Sequence, residues 1–166
     1  KLNVGVPKSM KVAAMVQPWE DPLTGDDVGR LMEQADALGF NKCMLGEHFV
    51  IPREHVALSG DWYFHTVVAL GFIGGRTRNL RLSSSVSILP LQNPIVQAKG
   101  WSTLDWLTGG RAEALFGVGW LKEEFDILGV SFDKRGRMAD EYVAAMIELW
   151  TKDAPEFEGE FVNFRD

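Results

Sequence analysis

Cysteine occurs once in this chain, at Cys43, and that scarcity excludes a disulfide framework. A lone thiol between Lys42 and Met44 is expected to be buried and inert. Positive charge is also in short supply. Against 23 Asp and Glu stand 17 Lys and Arg, a net charge of −6, so non-specific nucleic-acid binding has no electrostatic support. No apolar run approaches the ~20 residues that a membrane-spanning helix needs. No signal peptide is visible either, so the expected location is cytoplasmic, with no membrane partner. Histidine is sparse: His48, His55 and His65 form an H-x₆-H-x₉-H pattern that matches no zinc spacing, and no metal site is expected. The chain lacks the third glycine of a dinucleotide fingerprint. It also lacks the nucleophile elbow on which a Ser-His-Asp hydrolase would be argued.

What is present is ordinary globular material. The 166 residues are 46% hydrophobic and 24% charged, enough for one domain with a sizeable core. Short apolar runs alternate with helical patterns. Residues 11–16 read as a short buried strand, and 42–45, 80–89 and 112–116 read as three further strands. Between them, Thr24 is placed to cap a helix carrying Asp26 and Asp27 in its first turn. That helix shows Val28, Leu31, Met32, Ala35 and Leu38 on one face and ends at Gly39. Residues 61–74 read as a second helix. Asn93-Pro94 starts a third, which stops at Gly109-Gly110, and residues 134–150 form the last. Trp106 and Trp150 fall on these helices and are expected to be packing residues.

Four βα units spaced roughly 30 to 40 residues apart imply a parallel sheet covered by helices. The order suits either an open doubly wound sheet or a (β/α)₈ TIM barrel, which needs eight units and about 250 residues. Four units make half a barrel. The chain starts at Lys1 rather than methionine, so residues 1–166 are expected to be a single domain forming part of a longer protein. Both architectures place ligands at the carboxyl ends of the strands. That rule selects four loops: 17–19, 46–49, 85–93 and 117–124.

Glu47 and His48 directly follow the second strand. An imidazole there suits proton transfer or hydrogen bonding, although a simple loop role fits position alone equally well. Gly117 and Gly119 allow close backbone approach to a ligand; a tight turn explains them too. Ser83, Ser84, Ser85 and Ser87 need partners if buried, so the third strand either faces a ligand or is a solvated edge. Trp19 and Trp120, at strand ends, suit the wall of a pocket for a planar ring.

Taken in order, Leu89-Pro90 with Asn93-Pro94, Thr103-Leu104-Asp105 with Thr108 to Arg111, Gly117 to Trp120 with Glu124-Phe125, and Arg135 to Glu141 form a long ordered pattern. Ala37 to Phe40 and Gly46 to Phe49 extend it upstream. This pattern resembles the luciferase-like monooxygenase superfamily, and within it the deazaflavin-dependent branch. The resemblance implies a TIM barrel of which this chain is the N-terminal half. It also implies a ring cofactor, coenzyme F420 or alternatively flavin mononucleotide (FMN). By the same resemblance His48 is catalytic, and Glu47, Ser85, Val86, Gly117, Val118 and Gly119 bind the cofactor, with a cis peptide at Ser85-Val86. The expected reaction is hydride transfer between the deazaflavin and a small organic substrate, in a homodimer. The alternatives are an FMN-dependent monooxygenase or a non-catalytic half-barrel that only binds a ligand. Members that oxidise a sugar phosphate carry a glutamate where this chain has Trp120, which disfavours that substrate.

Overall fold

A computed structural model describes residues 2–5, 24–60 and 63–165. The strand expected at 11–16, and Trp19 with its loop, lie outside the described residues. The elements run β1 (Asn3–Gly5), α1 (Gly25–Ala37), β2 (Lys42–Leu45), α2 (Val56–Ser59), α3 (Thr66–Arg76), β3 (Arg81–Ser84) and β4 (Ser87–Ile88). There follow α4 (Pro94–Thr108), β5 (Ala112–Glu113), β6 (Phe116–Gly117), α5 (Lys122–Ile127), α6 (Arg135–Thr151), β7 (Glu156–Glu158) and β8 (Asn163–Arg165).

The main sheet is wholly parallel, in the order β1-β2-β3-β5. Strand β1 was not anticipated: it is three residues long and too polar to show an apolar run. The strands expected at 80–89 and 112–116 are each broken in two. β4 and β6 pair in parallel beyond the break, as a separate ladder. The Ser84 hydroxyl spans the gap, donating to the Leu115 carbonyl and accepting from the Leu115 amide, both at 2.7 Å. A side chain thus supplies the bonds that a straight ladder would have made. Ser83 and Ser84 are buried and β3 is central in the sheet, so the strand is not a solvated edge.

Helices cover the sheet as the sequence patterns require. Thr24 caps α1 in a full capping box: its hydroxyl accepts from the Asp27 amide at 3.1 Å, and its own amide donates to Asp27 Oδ2 at 2.8 Å. Val28, Met32 and Ala35 are buried on that helix, but Leu38 is exposed because it lies at the C-cap, past the last packed turn. Helix α3 begins at Thr66, five residues later than expected. Asn93 caps α4, accepting from the Ile95 amide at 2.9 Å, and Gly109 closes that helix in the left-handed conformation.

One buried cluster joins these layers, with Cys43, Leu45, Leu80 and Leu82 from the sheet region against Leu70, Ile73, Trp101 and Met146 from the helices. Trp106 is exposed, contrary to expectation; Trp101, a turn and a half earlier, is the packing residue of α4. Trp150 is partly exposed and donates to the Ala98 carbonyl, which ties α6 to α4. The Arg111 guanidinium binds the carbonyls of Gly74, Leu80 and Thr108 and so pins three element ends together. At the C-terminal side, the Glu141 carboxylate accepts from the amides of Phe161 and Val162 and holds the β7-β8 hairpin to α6.

Among the described residues no helix is long and apolar enough to cross a membrane, and no cluster of candidate ligands could hold a metal ion.

Candidate functional site

A cleft of about 380 Å³ opens at the carboxyl ends of the central strands. Four segments contribute to it: Gly46 to His48 after β2, Tyr63, Ser85 to Ile88 between and within β3 and β4, and Val118 to Trp120 after β6. Of the expected site residues, Glu47, His48, Ser85, Val86, Val118, Gly119 and Trp120 all line it. The Ser85-Val86 peptide bond is cis. Gly117 lies directly behind this wall: a Cβ there would meet Val86 Cγ2 at 2.5 Å. Gly119 has a φ of +79°, and a Cβ on it would meet the Phe125 ring at 2.6 Å and Ile88 at 2.9 Å. Close packing within the wall therefore favours glycine at both positions, and at Gly119 the positive φ does so as well.

Burial alternates along residues 42–48, with Cys43, Leu45 and Glu47 buried and the residues between them half-buried. Glu47 continues the inward register of the strand. Its two carboxylate oxygens are fully engaged. Oε1 accepts from the Thr66 amide at 3.2 Å, and Oε2 accepts from the Ser87 hydroxyl at 2.5 Å and the Ile88 amide at 3.3 Å. It thereby ties the end of β2 to the start of α3 and to β4.

His48 follows the opposite register and faces the cleft. Its ring meets Tyr63 edge to face at 4.9 Å and Trp120 at 5.9 Å. Nδ1 lies 2.8 Å from Glu124 Oε2. Glu124 is wholly buried on α5, and its other oxygen accepts from the backbone amides of Phe49 at 2.5 Å and Val50 at 3.1 Å. Burial by itself would raise the Glu124 pKa. The hydrogen bonds from His48 and the two amides together outweigh burial and hold the carboxyl below its ordinary range. Burial, with the Glu124 charge adding to it, pushes the Tyr63 phenol upward.

Sequence reasoning did not find Glu124 as the partner of His48. The two are 76 positions apart, and no local spacing signals a contact of that kind. The available clue was the carboxylate at the third residue of the short helix α5, next to the buried Phe125. His55 and His65 take no part in the cleft's lining. His55 sits at its rim, 3.7 Å from Glu123 and edge-on to Trp120 at 5.7 Å.

The apolar walls suit a flat ring: Val86, Ile88, Val118 and the aromatic Tyr63 and Trp120 supply them, and the polar atoms of Glu47 are already satisfied. No Lys or Arg is among these lining residues.

Comparison with known proteins agrees with this geometry. A family model described as luciferase-like monooxygenase matches residues 9–166. The structure of the monooxygenase RslO1 from Streptomyces bottropensis superposes with a TM-score of 0.77 at 27% identity, over 99% of this chain and 47% of that one. An F420-dependent secondary alcohol dehydrogenase, solved with an F420-acetone adduct, gives a TM-score of 0.75 at 18% identity, over 99% and 46%. That second likeness speaks to the fold alone. The FMNH(2)-dependent dimethylsulfone monooxygenase of Pseudomonas putida is 36% identical over 90 residues, 52% of this chain and 25% of its own length. The chain spans about half the length of the curated relatives it matches first.

Proposed function

The chain belongs to the luciferase-like monooxygenase family, and from that premise we propose that it is the N-terminal half of a TIM-barrel oxidoreductase that uses coenzyme F420. One observation supports this most directly: an imidazole, His48, opens onto a largely apolar cleft at the strand ends, walled by Tyr63, Val118 and Trp120. In this reading the ring lies against Ser85, Val86, Gly117, Val118 and Gly119, with Glu47 bracing that wall from behind. When bound, a deazaflavin supplies hydride transfer at its central ring carbon.

The chain's own residues do the rest. The apolar walls exclude water, and a dry site strengthens any hydrogen bond made inside it. His48 moves a proton at Nε2, the ring nitrogen that Glu124 does not engage. Glu47 ties the segment after β2 to β4, so that His48 and residues 85–88 stay opposed. The substrate is a small organic molecule, the assembly is a homodimer in the cytoplasm, and residues 1–166 fold as one unit.

The named P. putida relative favours a second reading, an FMN-dependent monooxygenase on the same scaffold. Ring absorbance separates the two readings when the full-length protein is titrated with F420 and with FMN in both redox states. Saturable F420 binding is the expected result. Tight FMN binding with none of F420 would replace the first reading by the second. Binding of neither would leave a half-barrel without redox function.

A further inference from the structure

We infer that Glu124 is a positioning residue: its buried carboxylate holds His48 in the Nδ1-protonated tautomer and so makes Nε2 the proton-accepting atom presented to the cleft. The inference rests on the reading of His48 as the proton-transfer group, and it adds the device that sets the direction of transfer.

The geometry leaves little freedom. A neutral imidazole carries one proton, on Nδ1 or on Nε2, and the hydrogen bond at one nitrogen decides the role of the other. Nδ1 faces Glu124 Oε2 at 2.8 Å. An ionised carboxylate only accepts hydrogen bonds, so Nδ1 must donate. The carboxylate cannot turn away, because Oε1 is held by the amides of both Phe49 and Val50, immediately beyond the imidazole in the chain. These two amides also keep it ionised: both are donors and neither can accept a proton from it. One carboxylate thus fixes the loop that carries His48 and the proton on its ring.

Among the described residues, Glu124 is the one carboxylate hydrogen-bonded to the ring. Among the described residues, the titratable side chains facing the ring are Glu124 at Nδ1 and Tyr63, which meets it edge to face. Glu47, its chain neighbour, is turned toward Thr66 and Ser87. Trp120 stands against both His48 and His55, each edge-on.

Replacement of Glu124 by glutamine makes the test sharp. The amide oxygen of E124Q can still accept from Phe49 and Val50. Its NH₂ group then faces His48 Nδ1, which must become an acceptor. The proton moves to Nε2, and the cleft is offered a donor in place of an acceptor. The reverse orientation of the glutamine would set its NH₂ against two backbone N–H groups and is disfavoured.

The experiment uses the full-length protein with ¹⁵N-labelled histidine, with His48 assigned by its loss in H48Q. Long-range ¹H–¹⁵N correlations distinguish the two tautomers. Wild type is expected to show His48 protonated at Nδ1. E124Q is expected to show Nε2 protonation. Turnover of E124Q should fall by between about tenfold and 10⁴-fold, the range seen when the outer partner of a working histidine is replaced. Cofactor affinity should change little. An Nε2-protonated His48 in wild type, or an unchanged tautomer in E124Q, overturns the inference. If E124Q does not fold, the wild-type pattern decides alone. Failure here is read from ring nitrogens in the unliganded protein, whereas failure of the proposed function appears as absence of cofactor binding, so the two are separable.

Discussion

Two neighbouring residues, Glu47 and His48, do opposite jobs because strand alternation carries past Leu45. Glu47 turns inward and becomes a structural cross-brace with four polar partners in reach, from Thr66, Ser87, Ile88 and Gln92. His48 turns to the cleft. Replacing His48 by alanine is expected to cut turnover of the full-length protein by about 10²–10⁴-fold, the usual worth of a positioned acid-base group. The same change should cost only about 1–2 kcal/mol of stability, because Glu124 keeps its two backbone donors. Steady-state kinetics beside urea unfolding checks both halves. Turnover that survives the substitution would remove His48 from the mechanism.

Among the elements, α1 shows how sequence chemistry sets a boundary. Thr24 and Asp27 satisfy each other's backbone amides, which the first turn of a helix would leave unpaired. Thr24→Ala should cost about 1 kcal/mol at neutral pH, by urea unfolding. The effect has a pH signature. The Thr24 hydroxyl and amide, followed by Arg30, hold the Asp27 carboxyl at about 2, below its ordinary 3.8. A depressed carboxyl pKa contributes stability that is present above the unfolded-state value and is lost as pH falls through the folded one. The difference between wild type and Thr24→Ala should therefore be constant above about pH 4 and shrink between about pH 4 and 2. A gap that stays constant to pH 2 would separate the cap from Asp27. The broken strands are a second case at this scale. β3 gives way to β4 at Ser85-Val86, and β5 to β6 at Ala114-Leu115, so the backbone bends into the cleft wall while Ser84 bridges the gap.

On the scale of the whole molecule, the cleft has no continuous segment of its own. Residues near 47, 63, 86 and 119 meet only because β2, β3 and β5 lie side by side over one core. Leu82 sits at the centre of β3, wholly buried, and touches the space beside Gly74. Leu82→Ala should cost about 2–5 kcal/mol. Because the core is shared, tryptophan fluorescence and far-UV circular dichroism should still report one coincident transition, at a lower urea midpoint. Separate transitions by the two probes would show that the cleft side unfolds independently of the sheet.

Much of the fold was legible locally. Caps at Thr24 and Asn93, the stop at Gly109 and the strand at residues 42–45 follow from side-chain chemistry that acts within one turn or a few residues. The break at residues 114–115 was not legible, because an apolar run reads the same whether straight or bent, and the cis peptide at Ser85-Val86 was indicated by the family resemblance alone. Trp106 and Trp101 could not be told apart by composition; which one is buried depends on where α6 and the sheet lie against α4.

For the site, the ordered motif run placed His48, Ser85-Val86 and Gly117 to Trp120 together before any coordinates, since strand ends in a parallel barrel converge on one face. The sequence by itself determined the parallel α/β architecture, the caps of α1 and α4, and the family. Only tertiary structure decided that Glu47 is consumed by internal hydrogen bonds and that Glu124 is the carboxylate beside His48. Hydrogen bonds have a reach of about 3 Å, and which groups come within that reach across 76 positions of chain is set by packing, not by spacing.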